Sequence, residues 1–210
     1  MIEQGTPEWH ALRIGKATAS RIADIVRTTK TGVSATRQRY LGELVAERLT
    51  GAKADSFKNA DMDWGNEKEA EARNAYSFLR GADVEQIAFV DHPGIKMSGA
   101  SPDGLVGADG LIEIKCPATH THIATLLSQT IDADYITQMQ WQMACTGRQW
   151  CDFVSFDPRM PQDMQFFCKR VARDSDRILA LEAEVIAFLA SVDETVSKLV
   201  AMYRQKEAAE

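Results

Sequence analysis

The apolar residues of this chain change their period along its length, and that change restricts the fold more than any other feature. Up to Leu79 they recur at helical spacing. Ile22, Ile25 and Val26 form a short stripe behind Thr18-Ala-Ser20, which can cap a helix that Lys30-Thr-Gly32 breaks. Ser34 opens a second helix carrying Tyr40, Leu41, Leu44, Val45 and Leu49, with Gly51 as its natural stop. After a loop over 52–60, the spacing predicts a third helix from about Asp63 to Leu79, ended by Gly81. Strands then take over at 84–90, 95–98, 101–106 and 111–115, with a turn at Gly107-Ala-Asp-Gly110 and a stop at Pro117. Helices return at about 119–129 and 134–146, and strands at 149–156 and 164–171. A long helix starts near Asp174 and carries Ile178, Leu181, Val185, Phe188, Val192, Val196 and Leu199. This order, without repeats or a linker, predicts a single-domain α/β fold: a central mixed β-sheet flanked by helices.

With 45% hydrophobic and 26% charged residues in 210, the composition excludes disorder, collagen-like repeats and a disulfide-dense mini-protein. No segment reaches the roughly 18 apolar residues of a membrane span. Met1 to Trp9 lacks the basic and apolar regions of a secretory signal. Cys116, Cys145, Cys151 and Cys168 form no CxxC pair, so a reducing cytosol is expected and zinc is not. The net charge of −6 argues at face value against a nucleic-acid partner. Its distribution says more. Residues 13–39 hold Arg13, Lys16, Arg21, Arg27, Lys30, Arg37 and Arg39 against Asp24 alone, whereas 51–115 is acidic. The basic stretch is either a solvated helical surface or a phosphate-facing one.

The acidic part contains Ser101-Pro-Asp103-Gly and Leu111-Ile-Glu113-Ile-Lys115-Cys-Pro117. Alternation along a strand puts Glu113 and Lys115 on one face and Ile112 and Ile114 on the other. Pairing about the middle of the 107–110 turn sets Asp103 opposite Ile114, one step from Glu113. Two carboxylates and an ammonium then converge, and a hard divalent cation such as Mg²⁺ or Mn²⁺ would relieve the repulsion. Glu69 falls on the inward face of its helix and can add a third carboxylate. Gln138 and Gln142 share a helix face beside Met139 and Trp141, where apolar residues would be expected. The alternative is a surface hairpin with an exposed ion pair, beside a helix whose glutamines merely face solvent.

Further motifs occur in a fixed order around this constellation. They are Trp9-His-Ala-Leu-Arg13-Ile-Gly with Thr18-Ala-Ser20, Trp64-Gly-Asn-Glu-Lys-Glu69, Ser101-Pro-Asp103-Gly, Glu113-Ile-Lys115-Cys-Pro, Gln138-Met-Gln140 and Phe156-Asp-Pro-Arg159-Met. In them the chain, from Gln4 to about Arg173, resembles the phage lambda exonuclease type of alkaline exonuclease. That is a viral recombinase family within the PD-(D/E)xK nuclease superfamily, with its restriction-endonuclease-like core. The resemblance implies one exonuclease domain over 1–210: a basic N-terminal helical part (1–80), a catalytic sheet with helices (81–172) and a C-terminal helix (174–208). It implies a Mg²⁺-dependent enzyme, with Mn²⁺ able to substitute, that digests one strand of linear duplex DNA 5′→3′ and leaves 3′ overhangs for annealing. Asp103, Glu113 and the Ile114 carbonyl then correspond to metal ligands, Glu69 to a further acidic ligand, Lys115 to the residue activating water, and Gln138 to a supporting residue. Arg13, Ser20 and Ser101 correspond to the 5′-phosphate pocket, and Trp9 and Met62 to a wedge where strands part.

One position departs from the pattern. Where lambda-type enzymes place an arginine after the Glu-x-Lys motif, Thr121 stands between His120 and His122. The phosphate pocket is then either weaker or served by one of these histidines. The resemblance further implies DNA with a free 5′ end as substrate, a homotrimeric ring, a single-strand annealing protein as partner, no membrane, and a cytoplasmic place in a bacterial cell as a phage or prophage product. The alternatives are a restriction- or repair-type endonuclease on the same core and a non-catalytic DNA-end binder.

Overall fold

The computed structural model of the protein describes residues 2–29, 32–54 and 60–203, the side chains of 60–63, 65 and 66 excepted. The elements in chain order are α1 (Pro7–Arg13), β1 (Ala17–Thr18), α2 (Ile22–Val26), β2 (Thr28–Thr29), β3 (Gly32–Val33), α3 (Ala35–Thr50), α4 (Ala60–Arg80), β4 (Val84–Glu85), β5 (Val90–Asp91) and β6 (Ser98–Ala100). They continue as β7 (Gly104–Val106), β8 (Gly110–Lys115), α5 (Thr119–Ser128), α6 (Ala133–Thr146), β9 (Trp150–Phe156), β10 (Phe166–Ala172) and α7 (Ser175–Tyr203).

The expected mixed α/β architecture is present. Five strands in the order β10-β9-β8-β7-β4 form the main sheet, in which β8 and β9 run parallel and every other pair antiparallel. Helix α4 covers one face through Ala72 and Tyr76, against Ile112, Ile114, Val154 and Phe156. Helix α6 covers the other through Met139 and Met143, against Leu111, Cys151 and Phe153. The strand β8 that carries Glu113 and Lys115 is therefore buried on both sides. A second apolar core joins α2, α3 and α7 around Ile22, Tyr40, Leu44, Val185 and Phe188.

Several boundaries follow the sequence expectation for the reason given there. The Ser34 hydroxyl accepts from the Arg37 N–H at 3.2 Å and starts α3, and Gly51 ends it at φ 68°. Other expectations change. The predicted strand over 84–90 divides between two sheets, β4 in the main sheet and β5 in a three-stranded sheet β1-β6-β5. Between them the Gln4 amide donates to the Ile87 carbonyl at 2.7 Å and the Trp9 indole to the Ala88 carbonyl at 2.8 Å, so side chains take the place of ladder partners. Near the expected break after α2 stands a small hairpin, β2–β3, with Lys30 and Thr31 outside the described residues. Helix α4 begins three residues earlier than expected. Helix α7 packs mainly on α2 and α3, with Ile178 in its first turn reaching the sheet core. Among the described residues no helix is long and apolar enough to cross a membrane.

Candidate active site

The hairpin β7–β8 sets the geometry. Gly104 pairs with Ile112, Leu105 with Leu111 and Val106 with Gly110. The connection is thus a three-residue loop, 107–109, with Gly107 left-handed at φ 53°. This corrects the expected register by one residue. The next step of the ladder sets Asp103 across from Glu113, on the same face, rather than across from Ile114. One Asp103 carboxylate oxygen accepts from the Ile114 N–H at 2.6 Å, which fixes it over the end of β8.

Glu113 is fully buried, and each of its oxygens is occupied. Oε1 accepts from the Gln138 amide at 2.6 Å and meets the Lys115 ammonium at 2.5 Å; Oε2 accepts from the Gln142 amide at 2.6 Å. The two glutamines noted at i,i+4 on α6 are therefore a clamp on one carboxylate. Gln140, between them, faces elsewhere and serves structure: it donates to the Ala172 carbonyl and accepts from the Asp174 N–H. Lys115 also lies 5.0 Å from the centre of the Tyr135 ring, which stacks on Phe153. Burial alone would lower the pKa of the Lys115 ammonium, but Glu113 and Asp103 hold it above its ordinary value. Desolvation, with the charges of Glu113 and Glu69, pushes the Asp103 carboxyl well up. Glu69 is also raised, by burial and by Glu113, with Arg73 opposing.

These groups line one cavity of about 530 Å³. Its wall includes Glu69, Asp103, Glu113, Ile114, Lys115 and Gln138, together with Trp9, Arg13, Ser20 and Ser101. A larger cavity of about 860 Å³ adjoins it and shares Gln4, Trp9, Arg13, Thr18, Ser20 and Glu69. Together they make a groove that leads from the exposed N-terminal surface to the carboxylates. Arg13 donates to the Ser101 hydroxyl at 3.2 Å and stacks 3.9 Å over the Trp9 ring, whose indole N–H reaches Ser101 at 3.0 Å. Burial lowers the Arg13 pKa to about 10, which leaves it a cation at neutral pH.

The donor set at Glu69, Asp103 and Glu113 suits a hard cation, since it offers carboxylate oxygens only, and burial raises the pKa values of Asp103 and Glu69. Glu69 leans toward Arg73, which bonds one of its oxygens and also donates to the Asp103 carbonyl at 3.1 Å. Among the described residues no three His, Cys, Asp or Glu side chains stand as a ready-formed metal centre.

The YqaJ-like viral recombinase domain matches residues 8–149. The chain belongs to this family. An alkaline exonuclease from Laribacter hongkongensis superposes with a TM-score of 0.87 at 50% identity, over 97% of this chain and 98% of that one. The same enzyme in complex with dAMP gives 0.90, again at 50% identity, over 95% and 99%. A phage-related exonuclease from Haemophilus somnus 129PT shares the fold, with a TM-score of 0.72 at 20% identity over 88% and 96%. Comparison with curated proteins finds no match. The family resemblance carried by the ordered motifs is borne out.

Within this recombinase-family chain, both histidines beside Thr121 stand apart from the cavity. Thr121 and His120 are exposed on α5 and do not line it. His122 is fully buried, with Nδ1 at 2.7 Å from the Ser155 hydroxyl and Nε2 at 2.8 Å from the Met164 carbonyl. It is not placed to serve the phosphate pocket, because both ring nitrogens are spent on the fold. Met62 lies outside the described side chains. The sequence marked Gln142 only as sharing a face with Gln138, and gave no role to Arg73 or Tyr135. The i,i+4 spacings Gln138–Gln142 and Glu69–Arg73 were the available signs of the first two; nothing local marked the third.

The basic stretch also reads differently in three dimensions. Lys16 pairs with Asp91, Arg21 with Asp24 and Glu43, Arg27 with Asp134, Arg37 with Glu184 and Arg39 with Glu43. Most of these cations bind this chain's own carboxylates. Arg13 makes no ion pair among the described residues and faces the cavity.

Proposed function

We propose that the protein is a metal-dependent 5′→3′ exodeoxyribonuclease that hydrolyses one strand of linear duplex DNA and leaves 3′ overhangs for strand annealing. The observation that carries this reading is the convergence of Asp103, Glu113 and Lys115 in one cavity that Arg13, Ser20 and Ser101 also line. Membership of a viral recombinase family and half identity to an alkaline exonuclease over nearly the whole chain support the same activity.

Asp103, Glu113 and the Ile114 carbonyl would hold Mg²⁺, or Mn²⁺ in its place, with Glu69 as a further acidic ligand. The ion would polarise a phosphoryl oxygen and acidify a bound water. Gln138 fixes the orientation of Glu113 through Oε1. Lys115, a cation between two carboxylates, orients the attacking water and offsets charge growing on the phosphate. Arg13, steered by Ser101 and by the Trp9 ring, takes the terminal 5′-phosphate with the exposed Ser20 beside it. Trp9 and Met62 are offered as the wedge at the strand junction, where unstacking a base pair costs a few kcal/mol.

A ring of three copies around the duplex, an annealing protein that receives the overhang, and a cytoplasmic phage or prophage setting complete the proposal. Digestion of linear against circular duplex tests its core. Loss of the linear form alone is expected; cutting of the circle would favour an endonuclease, and DNA retention without cleavage would favour an end binder.

A further inference from the structure

The Glu113 carboxylate has two differently placed oxygens. Oε1 is reached from the cavity by Gln138 and Lys115, both of which line it; Oε2 points into the protein, toward Gln142. Gln142 is fully buried and forms no part of the cavity wall. Its amide donates to Oε2 at 2.6 Å, while its own oxygen lies 4.0 Å from the thiol sulfur of Cys151, also fully buried. A buried amide can be turned either way, and only one way presents N–H to a carboxylate. The Glu113 carboxylate selects that way, and the Cys151 thiol backs it from the far side of the amide. Burial, with Glu113 and Asp103 nearby, pushes the Cys151 thiol well up, so the sulfur carries its proton and donates to the amide oxygen.

We propose that Cys151 and Gln142 form a buried relay that positions Glu113, running from β9 through α6 to β8. Cys151 backs the amide, the amide holds Oε2, and Oε1 is thereby left facing the cavity in a single orientation. Gln142 and Cys151 act through Glu113 and touch neither DNA nor the reacting atoms, so both are positioning residues. The inference rests on Glu113 being a metal ligand, as proposed above.

The test compares Mn²⁺ binding without DNA, by titration calorimetry, with steady-state digestion of linear duplex, for the full chain and three variants. Gln142→Met keeps volume and removes the donor; it is expected to weaken Mn²⁺ binding by about 10–100-fold and to lower kcat, with KM for duplex unchanged. Cys151→Val removes only the thiol donor and is expected to weaken binding in the same direction by less. Cys151→Ser restores a donor and is expected to return binding toward wild type, a rescue that a purely packing role would not give. Where Gln142→Met fails to fold, the two Cys151 variants decide. Mn²⁺ affinity equal to wild type in Cys151→Val, or equal loss in Cys151→Val and Cys151→Ser, overturns the relay. Failure of the proposed function has another signature: the wild-type chain itself would leave linear duplex intact.

Discussion

The Lys115 ammonium stands between two carboxylates and against the Tyr135 ring, so its charge and position are both fixed before any substrate arrives. Lys115→Ala should lower the rate on linear duplex by about 10²–10⁴-fold while DNA binding, followed by fluorescence anisotropy, survives. Retained cleavage would remove Lys115 from the chemistry. Arg13 is the corresponding test for the end pocket. Wild type should digest 5′-phosphorylated duplex faster than 5′-hydroxyl duplex, and Arg13→Ala should abolish that preference, a charged hydrogen bond being worth about 1.5–3 kcal/mol. Equal wild-type rates on the two ends would contradict the assignment. Residue types and spacing made Asp103, Glu113, Lys115 and Gln138 legible in the sequence, because strand alternation and helix periodicity are local rules. His122 was not legible: its burial depends on Ser155 and on the Met164 carbonyl, contributed from distant parts of the chain.

The hairpin β7–β8 converts sequence into site geometry, and its register depends on loop length. A four-residue turn was the natural reading of Gly107-Ala-Asp-Gly110, but Gly110 belongs to the strand. There the Trp150 ring lies so close that an added Cβ would fall 2.1 Å from ring carbons. Arg170 stacks 3.4 Å over the same ring and limits its retreat. Gly110→Ala should therefore destabilise the fold by about 1–3 kcal/mol through overpacking, read as a lowered Tm. An unchanged Tm would show that Trp150 can yield. At the far end of β9, Asp157 is clamped by Arg159, which also bonds the Pro117 carbonyl beyond β8 and stacks on Trp64 of α4. Burial opposes the Asp157 charge, but hydrogen bonds from Arg159 prevail and bring its pKa from 3.8 to about 2. A carboxyl depressed on folding stabilises fully above its unfolded pKa and loses that contribution as pH falls through its folded one. The Tm of wild type should exceed that of Asp157→Asn above about pH 4 and converge on it toward pH 2. A gap that persists at pH 2 would place the effect elsewhere. The split of the expected 84–90 strand had no local sign at all, since Gln4 and Trp9 impose it from some eighty residues away.

Over the molecule as a whole, the net charge of −6 is compatible with a DNA substrate because the proposed site is a groove lined by Arg13 and the carboxylates, not a broad basic surface. The excess of cations in 13–39, read from the sequence as a possible phosphate-facing surface, is largely consumed by ion pairs within the chain. The affinity for duplex ends should accordingly fall only gently with salt, since each phosphate neutralised contributes a slope of about −0.9 in log–log form. A steep slope would mean that a broad basic surface forms in the assembled protein. The protein is proposed to be an end-dependent, metal-dependent nuclease of defined polarity. Linear duplex labelled separately at its 5′ and 3′ ends, incubated with Mg²⁺ or with chelator, tests it most directly. Early release of the 5′ label as mononucleotide, with the 3′ label retained on a long strand and no reaction in chelator, is the predicted result. Early release of the 3′ label, internal fragments, or digestion that persists in chelator would contradict it.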